Sequence, residues 1–267
     1  MSCDPTRRPK SQSRGITLRD LYFAAALLAE LAVIYLTGQQ IYLHYSKEEI
    51  RSFQARDLQI DDGINVPGRK TAFFAFMRPI IEAENHRIQD LRRRLIAARK
   101  VGGKPVWVAA VADKYRIAWT GAEWRALLQR GDTAPLPLVL AQSANETNWG
   151  RSRFAREGNN MFGQWCFKPG CGMVPKQRNT GAGHEVARYK SVNASVRAYL
   201  RNLNTGPAYR ELRRLRWQAR QQGKTPDAMQ LASGLDRYSQ RGAAYVDDIR
   251  AMIQSNRALM LGVGAGS

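Results

Sequence analysis

Histidine and cysteine are scarce, three of each in 267 residues. No second cysteine pair or histidine cluster stands at metal-ligand spacing, and no histidine, cysteine and acid arrangement prepares a nucleophile. Hydrolysis through a bound metal or a thiol is therefore not expected, nor is a cofactor. Acidic residues are also few, 22 Asp and Glu against 42 Lys and Arg, which leaves a net charge of +20. That balance calls for a polyanionic partner: nucleic acid, anionic lipid or an acidic cell-wall polymer. No nucleic-acid motif accompanies the charge. The run Arg92, Arg93, Arg94 lies on an apolar-striped segment and reads as a solvated helix face. Repeats and low-complexity blocks are absent. With 44% apolar residues the chain has the material for a buried core.

A long uninterrupted apolar run is missing as well. The best candidate, Leu21 to Thr37, is short for a membrane span and holds Glu30, which costs ~3 kcal/mol at mid-bilayer unless paired or protonated. Ahead of it stand Arg7, Arg8, Lys10, Arg14 and Arg19 against Asp4 alone, the basic flank of a membrane-directed helix that would export residues from Gln39 onward. No small-x-small cleavage site follows, which favours an anchor over a cleaved signal; a packed soluble helix is the alternative. Cys3 precedes this stretch and is not placed as a lipoprotein cysteine. In an oxidising compartment Cys166 and Cys171, with Pro169-Gly170 turning between them, read as a disulfide rather than half of a metal site.

Residues 1–37 thus form a basic tail and membrane-directed helix, 38–63 a polar linker closing on an extended 64–68, and 64–262 the main domain. Phe73, Phe74, Met77, Ile80, Ile81, Ile88, Leu91 and Leu95 recur at helical spacing. Further helices are expected over 106–115, 121–130, 193–203, 209–222, 227–234 and 245–261. Between 158 and 183, six glycines and two prolines mark loop and hairpin. The architecture is mainly α with a small β-hairpin lobe.

Two carboxylates draw the eye. In Ala141-Gln-Ser-Ala-Asn-Glu-Thr-Asn-Trp-Gly150, an apolar helix runs from a cap at Asp132 or Thr133 and an early Pro135 to a stop at Gly150. Glu146 falls in its last turn, where unpaired carbonyls disfavour a negative charge and Trp149 can exclude water. Both raise a carboxyl pKa, as a proton donor requires. In His184-Glu-Val-Ala-Arg-Tyr189, strand alternation puts Glu185 and Tyr189 on one face. Glu185 either faces a cleft opposite Glu146, giving the two-carboxylate arrangement of glycoside hydrolysis, or pairs with Arg178 or Arg188 at the surface.

These motifs, with Gly158-Asn-Asn-Met-Phe-Gly-Gln-Trp165 and Asn202-Leu-Asn-Thr-Gly-Pro-Ala-Tyr209, resemble the bacterial glucosaminidases of glycoside hydrolase family 73, in the Phe-Gly-Gln-Trp-Cys form of the Bax-type branch. The resemblance spans roughly residues 64 to 260. It implies a lysozyme-like helical fold and cleavage of the N-acetylglucosaminyl β-1,4 bond of peptidoglycan. Glu146 matches the general acid, Glu185 the acidic position of the β-lobe, and Tyr238 the cleft tyrosine, with Tyr245 as the second choice. Tyr-Ser-Gln-Arg-Gly stands where many members have Tyr-Ala-Thr-Asp. Cleft candidates for substrate binding are Asn159, Asn160, Phe162, Trp165, Tyr189 and Tyr245. A monomer anchored in the inner membrane, with its catalytic domain in the periplasm on glycan strands, is the expected setting.

Overall fold

The computed structural model describes residues 51–60, 63–102, 105–176 and 183–262, besides Leu18, Tyr22 and Ala25. The membrane-directed stretch 21–37 otherwise lies outside the described residues, as do Cys3 and Arg178. Among the described residues no helix is long and apolar enough to cross a membrane. Residues from Arg51 onward form one compact unit.

The unit is mainly helical. Helix α1, Val66–Lys100, carries the apolar stripe read from the sequence and buries Phe73, Phe74, Met77, Ile80, Ile81 and Leu95. It starts earlier than expected. Asn65 caps it by accepting from the Gly68 amide, and Pro67 stands in its first turn, where a missing N–H costs nothing. Helices α2 (Val106–Lys114) and α3 (Trp124–Arg130) close a satellite core around Leu95, Val108, Ala112, Leu127 and Leu128. Helix α4, Leu136–Thr147, lies in the centre with Leu138, Val139, Leu140, Ala141 and Ala144 buried. A short α5 (Arg153–Gly158) follows.

The β-lobe has three strands rather than a hairpin: β1 Trp165–Cys166, β2 Gly172–Met173 and β3 Glu185–Ala187, all antiparallel, in the order β1-β3-β2. Because β3 is the central strand and is covered on both faces, all three of its residues are buried and no exposed face alternates with an inner one. Helices α6 (Val192–Thr205), α7 (Arg210–Gln221), α8 (Ala228–Ala232) and α9 (Ala243–Leu261) complete the domain; α9 and α1 both pack on α4.

Three sequence expectations change. Asp132 does not cap α4, whose N-cap is Pro135 without a side-chain bond. It is instead a buried carboxylate gripped by Arg220, with Arg92 at 3.6 Å and Arg216 at 4.0 Å. Arg92 leaves the solvated face expected of it and donates to the carbonyls of Leu128 and Gly131. The second half of the expected linker is packed structure. Ala55 is buried, Phe53, Leu58 and Ile60 lie against the main core, and the Phe53 amide donates to Asn193 Oδ1 at 2.9 Å.

Candidate active site

Glu146 sits one residue from the end of α4, as its sequence predicts, in a half-buried position. Immediately after it the chain turns through three successive residues of positive φ: Asn148 (48°), Trp149 (61°) and Gly150 (80°). A left-handed tryptophan is costly, on the order of 1–2 kcal/mol. Trp149 is compensated by packing edge-on against Phe73 and Phe74 of α1, with ring centroids 5.9 and 5.3 Å away. This corrects the expectation that Trp149 lies over the Glu146 carboxyl. Tyrosines crowd the site instead.

Tyr245, in the first turn of α9, donates its hydroxyl to Glu146 Oε1 at 2.9 Å. The same hydroxyl accepts from Gln142 Nε2 at 3.0 Å, and Gln142 Oε1 accepts from the Tyr199 hydroxyl. A chain of donors therefore runs Tyr199, Gln142, Tyr245 and ends on the carboxyl. Tyr238 stacks on Tyr245, with ring centroids 5.2 Å apart and planes at 15°, and its hydroxyl donates to the Phe162 carbonyl at 2.8 Å. Direct contact with Glu146 thus belongs to Tyr245, the second choice from sequence, while Tyr238 backs it. Burial raises the Glu146 pKa above its usual range, opposed by the hydrogen bonds from Tyr245 and Asn145. Burial also pushes up the Tyr245 hydroxyl, reinforced by the Glu146 charge, so it stays a donor.

The other carboxyl oxygen, Oε2, faces the loop at Gly163, where a side-chain Cβ would stand 3.5 Å from it. Gly163 has φ +61°, a conformation that glycine adopts without strain. Oε1 is thereby fixed by Tyr245, and Oε2 faces a residue without a side chain.

Glu185 is buried on β3. Its Oε1 accepts from the Gly170 amide at 2.9 Å and its Oε2 from the Gly172 amide at 2.7 Å. The Gly170 amide belongs to the loop closed by the Cys166–Cys171 disulfide and the Gly172 amide opens β2 just beyond it, so Glu185 organises the tip of the lobe. The two sulfurs and the Glu185 carboxylate lie close enough to hold a metal as free thiolates, but in the structure the cysteines are joined to each other.

Several cleft candidates serve the framework. Asn160 is saturated, its Oδ1 accepting from the Phe162 and Gln164 amides and its Nδ2 donating to the Gln164 and Ala187 carbonyls. Asn159, left-handed at φ 52°, accepts from the Ala55 amide and donates to Gln54 and the Tyr189 carbonyl, fastening the N-terminal segment. Phe162 is buried and stacks on Tyr199 at 3.8 Å. None of these three presents a free group to a ligand. Tyr189 is half-buried with its hydroxyl on Gln164 Oε1, and desolvation pushes its pKa up to about 12. Trp165 is different: 57% exposed on β1, it stacks face to face on His184 with ring centroids 4.1 Å apart. Sequence reasoning missed Gln142 and Tyr199. Gln142 lies four residues before Glu146, hence on the same helical face, and that spacing was the available signal.

Fold and site define a mainly helical protein built around Glu146, an acid whose pKa burial raises, and the family model described as mannosyl-glycoprotein endo-beta-N-acetylglucosaminidase matches residues 121–258. The chain belongs to this glucosaminidase family of glycoside hydrolases. It is 32% identical over 226 residues to Protein bax of Escherichia coli (strain K12), covering 80% of this chain and 81% of that protein. No solved structure matches. The family match contains Glu146, Glu185 and the tyrosines, whereas α1, which holds Trp149 in place, precedes it.

Proposed function

We propose that this chain hydrolyses the β-1,4 bond of N-acetylglucosamine in peptidoglycan, with Glu146 as general acid. The observation that carries this reading is the Glu146 carboxyl, its pKa raised by burial, with Oε1 fixed by Tyr245 and Oε2 beside Gly163. A proton on Oε2 passes to the glycosidic oxygen as the bond to the anomeric carbon breaks. Both oxygens of Glu185 are occupied by backbone amides, which favours the sugar's own acetamido oxygen as the group that closes on that carbon. Water then opens the resulting oxazolinium ion and returns a proton to Glu146. Trp165, backed by His184, offers an exposed aromatic face for a sugar ring. A disulfide suits an oxidising compartment such as the periplasm, and the basic N-terminus suits retention at the inner membrane.

The test is mass spectrometry of fragments released from purified peptidoglycan by the full chain, after borohydride reduction. Reduced N-acetylglucosamine ends support the assignment. Reduced N-acetylmuramic acid ends, or intact glycan with retained binding, overturn it, the last outcome defining a non-catalytic binder on the same fold.

A further inference from the structure

A pocket of about 560 Å³ opens between the C-terminal half of α1, the end of α3 and α7. It lies beyond the opposite end of α4 from Glu146: Asp132, in its wall, precedes α4, whose twelve residues span about 18 Å. Its volume falls within the roughly 300–1,000 Å³ of small-molecule sites.

The charge of the wall is unbalanced. Arg92, Arg93, Arg99, Lys100 and Arg220 line the pocket, against Asp132 as the only acid in its wall among the described residues. Asp132 is already committed. Its Oδ1 accepts from the Thr133 amide at 2.8 Å and from Arg220 at 3.1 Å, and its Oδ2 accepts from Arg220 at 3.2 Å. Arg92 and the fully buried Arg216 also draw on it, so one carboxylate serves three guanidinium groups. Arg93 pairs with Asp90 on the surface. Arg99 and Lys100 have no acidic partner among the described residues. Guanidinium groups take phosphate oxygens in paired hydrogen bonds, and a surplus of at least two charges matches a dianion better than a single carboxylate. Leu128 and Trp217 supply an apolar side to the same pocket, suited to an organic substituent on the anion.

We propose that this pocket binds a phosphate ester or pyrophosphate, separately from the glycan site. Two sources share that chemistry, a lipid headgroup and a soluble phosphorylated compound. The proposal does not depend on the reading of Glu146.

The test uses the full chain and the R93Q/R99Q/K100Q variant, whose substitutions are all exposed and spare the fold. Sodium pyrophosphate is titrated calorimetrically at fixed ionic strength near 0.15 M with chloride as the balancing salt. Co-sedimentation is run with phosphatidylcholine vesicles with and without phosphatidic acid, whose headgroup is a phosphomonoester. Pyrophosphate binding that weakens at least tenfold in the variant supports a soluble ligand. Variant-sensitive binding confined to vesicles that contain phosphatidic acid supports a headgroup. Glycan hydrolysis is expected to be unchanged in the variant. Absence of both interactions, or equal binding by the variant, overturns the site and leaves the basic wall as a solvated surface.

Discussion

At the scale of the residue, Glu146 combines two demands that conflict. A proton donor must resist ionisation, and burial supplies that resistance; a folded protein must not carry too costly a group, and the Tyr245 hydroxyl limits the cost. Tyr245→Phe removes a bond that lowers the Glu146 pKa. The pKa therefore climbs further, the protonated acid persists to higher pH, and the alkaline limb of kcat/KM shifts to the alkaline side. The same change deprives Gln142 Nε2 of its acceptor, at a cost of roughly 1–3 kcal/mol visible as a lower Tm. The sign of the Glu146 contribution to stability follows from its raised pKa. The folded state binds this proton more tightly than the unfolded chain, so stability is greatest below the unfolded value and declines as pH rises through the folded one. Glu146→Gln keeps the acceptor for Tyr245 and removes that decline. Its Tm is expected to exceed that of the wild type near pH 7, with the gap closing toward pH 4; an unchanged gap would show that burial does not perturb this carboxyl.

At the scale of the element, the lobe and the helices differ in how far their sequences disclose them. The stripe along α1 and the Leu138 to Ala144 run of α4 identify themselves by period, because each needs only one buried face. β3 does not show alternation, since it is buried on both sides. Asn159 and Asn160 have the composition of a binding turn, yet their partners lie 105 and 27 residues away, at Gln54 and Ala187, and local sequence carries no sign of them. Glu185 presents the same difficulty, because an acid on a strand is identical in sequence whether it faces a cleft or holds amides. Its place in the lobe is testable. Glu185→Gln offers one acceptor oxygen to two amides, setting an NH₂ group against either Gly170 or Gly172. A loss of about 1–3 kcal/mol is expected by thermal or urea unfolding; a variant as stable as the wild type would mean that the amides find other partners.

At the scale of the whole molecule, the domain begins before its family match and before the boundary that composition marks. Residues 51–60 are polar enough to read as linker, but Ala55 is buried and the amides of Phe53 and Ala55 are satisfied by Asn193 and Asn159. A chain starting at Arg51 keeps those contacts and gives the reference Tm. One starting at Ile64 should lose about 3 kcal/mol or more, since those bonds and the packing of Phe53, Leu58 and Ile60 go together. Equal Tm values would return this segment to the status of a linker. The net charge of +20 also has a more local meaning than sequence allows, because part of it is concentrated around Asp132, at the far end of α4 from the acid.

The central claim is that one desolvated carboxyl donates the proton for bond cleavage. The most direct measurement is the rate of glycan release from purified peptidoglycan by the full-length Glu146→Gln protein, with its Tm and sedimentation onto the same peptidoglycan determined in parallel. A folded variant that still binds but turns over on the order of 10²–10⁴-fold more slowly is the predicted result. A folded variant with wild-type turnover would contradict the account and move the chemistry to another group.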